Sequence, residues 1–225
     1  MSEWKVLPHG QLEELQDNLW SVSGSLPNMS LKRRMVIARN DSGELIVHSA
    51  IAGDDALMGQ IDALGPVKSI IVPNGFHRLD APKYKARYPE AKVYCPSGAR
   101  AKVEKCVAVD GDYDDAPSDA SVGFEYLQGV KASEGVMWVR SGDALSLVFN
   151  DCLFNVPHGK GFGVFVLKAI GSSGGPKVTR IARTFLVKDK KALGSNLQDL
   201  AAREGLVRLI PGHGHIIDAD PRGIL

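Results

Sequence analysis

The chain is poor in cysteine: Cys95, Cys106 and Cys152 are all it has, an odd number without a Cys-x-x-Cys pair. That count argues against a disulfide framework and fits reduced thiols in a cytoplasm. An excess of either charge is also missing. Lys and Arg number 27 against 26 Asp and Glu, a formal net charge of +1. Such a balance gives no electrostatic reason to expect nucleic acid or an anionic membrane as partner. No apolar run approaches the roughly 20 residues a membrane helix needs. The stretch 1–10 carries Glu3, Lys5 and His9 where a secretory leader would need an apolar core. What is present is ordinary for a globular protein: 225 residues, 44% hydrophobic and 24% charged. The expectation is one domain spanning 1–225, cytoplasmic, acting on a small molecule.

The first half reads as short strands separated by turns. Asn18 to Val22 and Arg34 to Arg39 are apolar runs, and Asn40-Asp41-Ser42-Gly43 is a turn signal before Glu44 to His48. Two such runs around a polar loop predict a hairpin. Asp54 to Leu64 has apolar residues at 57, 58, 61 and 64, which predicts a helix stopped by Gly65-Pro66. Val67 to Val72 and Lys92 to Cys95 read as strands around a short helix, Ala81 to Tyr88. Later, Phe124 to Leu127, Val136 to Val139 and Ala144 to Phe149 read as strands. Gly171 to Pro176 reads as a flexible loop, Asn196 to Glu204 as a helix and Leu206 to Ile210 as a last strand. Strands alternating with helices in two similar halves favour a layered α/β domain.

Metal-binding side chains gather where three apolar strands end. Ile70-Ile71-Val72 leads into a loop with His77 and Asp80; Ala144 to Phe149 leads to Asp151; Leu206 to Ile210 leads to Gly212-His213-Gly214-His215. A buried strand has no use for such residues, but its exit can hold them rigidly over a cleft. Nitrogen and carboxylate ligands together suit zinc, iron or manganese. Glycines beside His213 would let the backbone turn so that its ring faces inward. Each residue has a plainer reading. His77 could be a surface histidine, Asp80 the N-cap of the helix after it, and Asp151 an anchor for loop amides.

Other features carry less. His215 and His158 are weaker candidates, while His9 and His48 read as incidental. Cys152 beside Asp151 reads as a buried structural thiol, since a neighbouring carboxylate disfavours the thiolate. The acidic stretch 110–120 lacks the glycine and terminal glutamate of a calcium loop and reads as solvated. Gly159-Lys160-Gly161-Phe162-Gly163 is no phosphate loop; a lid bringing His158 or Lys160 to a substrate is the expectation there.

The order strand–His77, strand–Asp151, strand–Gly212-His213-Gly214 resembles the metallo-β-lactamase superfamily of hydrolases. Val72 to His77 and Tyr88 to Tyr94 look like a divergent branch of it built on a domain of unknown function. The resemblance runs from about Asn18 to His215 and implies a four-layer αββα sandwich with the site at one edge of the two sheets. The departures are as informative. Against the family's His-x-His-x-Asp-His motif the sequence offers Gly75, His77, Leu79 and Asp80. The stretch matching its next histidine, Val130 to Gly135, has none. Asp151 and His213 match the bridging aspartate and final histidine. The resemblance thus implies His77, Asp80, Asp151 and His213 as ligands for one divalent ion, zinc or iron, with Asp80 and Asp151 as catalytic carboxylates. The expected activity is hydrolysis of a small ester, amide, lactone or phosphoester. The alternative is a metal-free, catalytically inactive relative kept as a binding or scaffold module.

Overall fold

A computed structural model describes residues 3–158 and 173–225. The expected lid residues Gly159 to Gly163, Lys160 among them, lie outside the described residues. Chain order begins β1 (Glu13–Gln16), β2 (Leu19–Leu26), β3 (Met29–Arg39), β4 (Leu45–His48), α1 (Asp55–Leu64), β5 (Val67–Ile71), α2 (Ala81–Arg87), β6 (Lys92–Tyr94) and α3 (Arg100–Val103). It continues with β7 (Val122–Tyr126), β8 (Gly135–Ser141), β9 (Ala144–Val148), β10 (Phe154–Val156), β11 (Gly175–Lys177), α4 (Arg180–Phe185), α5 (Lys190–Ala201), β12 (Leu206–Ile210), β13 (His213–Gly214) and α6 (Pro221–Ile224).

Strands β1 to β6 form one sheet in chain order, antiparallel up to β4 and parallel from β4 through β6. A second sheet runs β12-β9-β8-β7, with β12 parallel to β9. The expected hairpin is the antiparallel pair β3/β4, Val36 opposite His48.

Strand alternation builds the layers. Trp20, Val22, Met35, Ile37, Leu45 and Val47 face outward onto Leu57, Met58 and Ile61 of α1 and Tyr84 of α2. Their neighbours Leu19, Val36, Ala38 and Ile46 point the other way and meet Val122, Met137 and Val139 of the second sheet. That sheet's far face, with Val136, Leu145 and Leu147, packs on Leu193 and Leu200 of α5. Period-two alternation with both faces apolar is what a sheet needs when covered on both sides. The result is the four-layer αββα sandwich.

Helix α1 follows its spacing. Asp54 caps it through Leu57 N at 2.9 Å, and Gly65 ends it at φ +147°, its Cα hydrogens facing the Gly43 carbonyl. Two expectations need correction. Helix α5 begins at Lys190, not Asn196, because Asp189 caps it by accepting from the Lys191 and Ala192 amides; Gly194-Ser195 hid that start. The glycine-rich tract is not all loop: Gly175–Lys177 forms β11 against β10, and Pro176 is tolerated because β11 is an edge strand. Among the described residues no helix is long and apolar enough to cross a membrane.

Candidate metal site

The last residues of β5, β9 and β12 are Ile71, Val148 and Ile210, and all three sit in the core between the sheets. The loops leaving them therefore start from one place. His77, Asp151 and His213 come together there, each offering a ligand atom, and those atoms all lie within 4.8 Å of one another. His77 Nε2 is 3.1 Å from His213 Nε2, and Asp151 Oδ1 is 3.2 Å from each. Both histidines are buried and Asp151 is half-buried.

Neighbours outside this trio orient it. His213 Nδ1 lies 2.7 Å from the Lys32 carbonyl. A carbonyl can only accept, so in the neutral ring the proton is on Nδ1 and the Nε2 lone pair faces the group. Metal-ligating histidines are commonly oriented in this way. His77 Nδ1 is 2.9 Å from Ser49 Oγ. Ser49 follows β4 with φ +57°, an uncommon conformation for a residue other than glycine. Asn74 binds both sides of its loop: its Oδ1 accepts from the Phe76 and His77 amides, and its Nδ2 donates to Asp151 Oδ2 at 2.8 Å and Glu134 Oε2 at 3.2 Å. Gly214 adopts φ +93°, and any Cβ there would run into the Asn155 carbonyl.

Burial works against a charge on Asp151, but His77 and His213 outweigh it and hold the carboxyl well below the usual range. Glu134 behaves oppositely. Complete burial, then the charge of Asp151, push it well above its ordinary value, although Cys152 N and Asn74 donate to it. The site thus keeps its negative charge on Asp151.

Asp80, the fourth expected ligand, stands apart. It occupies the N-cap position of α2, yet its side chain makes no capping bond. It accepts instead from Arg33, from Lys83 Nζ at 2.7 Å and from the Ala52 amide at 3.0 Å. With two cations on it, the carboxylate is taken up in a buried ion cluster. His215 is exposed, and His158 Nδ1 meets Ser173 Oγ at 3.2 Å; neither joins the group. His48, read as incidental, is fully buried. The carboxylates of the acidic stretch bind backbone amides, such as Asp110 to Val93 N and Asp119 to Ser121 N and Val122 N. Burial, then Glu134 and Asp151, push the Cys152 thiol far up, in keeping with an inert thiol.

Ser49, Asn74 and Glu134 were missed from the sequence. Glu134 had a signal: it is the only carboxylate in the stretch 130–135, where the resemblance led one to expect a histidine and there is none. Ser49 had none, since its role depends on a backbone conformation.

The trio opens onto a cavity of about 460 Å³. Leu26, Leu31, Phe154, Ala182 and Leu186 line it with Thr179 and Arg33, and the exposed Met29, Phe76, Leu79 and Phe185 lie at its mouth.

No protein-family model and no curated protein matches this sequence. Solved structures do. A crystal structure of the DIM-1 metallo-β-lactamase exposed to ceftazidime superposes with a TM-score of 0.66 at 12% identity, covering 98% of this chain and 96% of that one. The TMB-1 structure gives 0.65 at 12% identity over 97% and 94%. A metallo-β-lactamase from Pontibacter korlensis gives 0.64 at 12% identity over 95% of each chain. The chain therefore has the metallo-β-lactamase fold, with a possible metal site of His77, Asp151 and His213 where strands of both sheets end.

Proposed function

We propose that the protein is a metal-dependent hydrolase with a mononuclear site, acting on a small ester, amide, lactone or phosphoester. The observation that carries this reading is the convergence of two imidazoles and one carboxylate within 4.8 Å at the inner end of a cavity. The donor set fits a divalent ion such as zinc or iron: two nitrogens, one anionic oxygen, three protein ligands and room for a fourth. Bound there, the ion would supply Lewis acidity to the scissile carbonyl or phosphoryl group and to an attacking water. The protein's own part is orientation and exclusion of water. The Lys32 carbonyl and Ser49 aim the two rings, while Asn74 fixes Asp151. Asp151, the only carboxylate lining the cavity among the described residues, is placed to accept a hydrogen bond from the water and so direct it. Asp80 has no part in this scheme; it holds Arg33 and Lys83.

Elemental analysis after zinc or iron supplementation tests the reading. Close to one ion per chain is expected, with His213→Ala reducing it. Leu79 replaces the family's aspartate at the cavity mouth, and that favours the second reading, a fold kept for binding without metal. A chelator separates the two: it should lower the melting temperature of a metal protein by mass action and leave a metal-free scaffold unchanged.

A further inference from the structure

We propose that this site takes substrates carrying an uncharged hydrocarbon chain, with the chain held in the apolar part of the cavity and the scissile group at His77, Asp151 and His213. The proposal rests on the hydrolase reading for its chemistry but not for the binding of the chain. Its basis is where the apolar surface lies. Seven large hydrophobic side chains are exposed among the described residues. Four of them, Met29, Phe76, Leu79 and Phe185, line this one cavity. Phe76 and Phe185 remain 71% and 64% exposed. Apolar residues gathered at one place, continuous with an apolar interior, mark a binding site more strongly than the same residues scattered. The volume of about 460 Å³ lies within the usual range for small-ligand sites.

The polar groups of the cavity narrow the choice further. Arg33 is the only Lys or Arg lining it among the described residues, and its two terminal nitrogens donate to Asp80 and, at 3.0 Å, to the Ala50 carbonyl. An anionic substrate tail would give up its hydration against a lining that is mostly apolar, while a hydrocarbon tail has none to lose. A second protein would have to insert a chain through the same opening to reach the trio. A small acyl compound does this by diffusion. Hydrolysis of such an ester forms one bond from water oxygen to the acyl carbon and breaks the acyl carbon–oxygen bond. The acid leaves with the water's oxygen, and the alcohol takes up a proton.

The test has a binding arm that needs no turnover. Straight-chain methyl ketones of increasing length, which carry no charge and no scissile bond, are titrated against the uncharged fluorophore N-phenylnaphthylamine. The titration is run on the protein as purified and after chelation. Affinity should rise about fourfold per methylene, the factor for burying one such group. It should keep that slope in His213→Ala and lose it in Met29→Asp and Phe185→Asp, whose exposed positions leave folding intact. The second arm measures kcat/KM of the zinc-loaded protein on p-nitrophenyl acetate, butyrate and octanoate, where the same dependence on length is expected. Affinity that is flat with length overturns the proposal, as does a slope that survives both aspartate variants. So does conversion of a dimer to monomer by those variants with no change in ketone affinity, because the mouth would then be an interface between copies. A length-dependent affinity without any hydrolysis sinks only the hydrolase reading.

Discussion

The Nε2 atoms of His77 and His213 stand 3.1 Å apart across 136 residues of chain. Two imidazole lone pairs at that separation repel unless a proton or a cation lies between them. In the neutral ring His213 is committed: its Nδ1 proton goes to the Lys32 carbonyl, which leaves Nε2 an acceptor. His77 is not, because the Ser49 hydroxyl on its Nδ1 can donate or accept. Without metal, His77 can donate from Nε2 to His213; a bound ion would need both Nε2 lone pairs, and the hydroxyl could then turn to accept from His77 Nδ1. Ser49 is thus the element that permits both states.

Replacing Ser49 with alanine should weaken metal affinity about 10- to 100-fold, the usual cost of removing such an orienting partner. Competition against a chelating dye measures it. An affinity equal to the wild type would show that the hydroxyl does not orient His77.

Asp80→Ala should separate stability from metal binding. The change leaves Arg33 and Lys83 without their carboxylate in a buried setting, where breaking an ion pair costs about 3–5 kcal/mol. A fall in melting temperature with unchanged metal stoichiometry is expected. Loss of metal at unchanged stability would instead make Asp80 a ligand.

His48 predicts acid lability. Burial first, then the nearby His77, push its pKa down from 6.5 to about 3. The unfolded chain takes up this proton near pH 6.5, while the folded chain does so only near pH 3. Stability is therefore full above about 6.5 and falls as pH drops toward 3, by on the order of 5 kcal/mol. Melting temperatures from pH 8 to 4 test this, and His48→Leu should flatten the acid limb. An acid limb unchanged in the variant would assign the loss to other groups.

Gly214→Ala should disturb the site through the backbone. The residue would be strained at φ +93° and its methyl would meet the Asn155 carbonyl, a cost of about 1–3 kcal/mol or more. Reduced metal binding is expected with the lower melting temperature, because His213 is the preceding residue. Thermal melts and elemental analysis on one preparation report both effects.

Much of the fold was legible because local rules agree with the global one. The apolar spacing of α1 and the turn at Asn40–Gly43 mark their elements whatever surrounds them. The candidate positions His77, Asp151 and His213 were legible as well, since each follows an apolar strand that would not tolerate it inside, and the structure brings the three together. Asp80 was not. An aspartate before Ala81-Pro82 reads equally as cap or ligand, and the choice depends on Arg33, which approaches from β3. The start of α5 stayed hidden because Gly194 and Ser195 are poor helix formers, and packing of Leu193 and Leu200 overrides that preference.

The sequence by itself determined where strands stop and what chemistry stands at their ends, because hydrophobic alternation and turn residues act over a few positions. Only the tertiary structure decided which of those ends meet. Ile71, Val148 and Ile210 belong to two different sheets, and it is the burial of their side chains against one another that brings His77, Asp151 and His213 within reach of one ion. The same packing turned Asp80 toward Arg33 and Lys83, since a buried carboxylate goes where its charge is met.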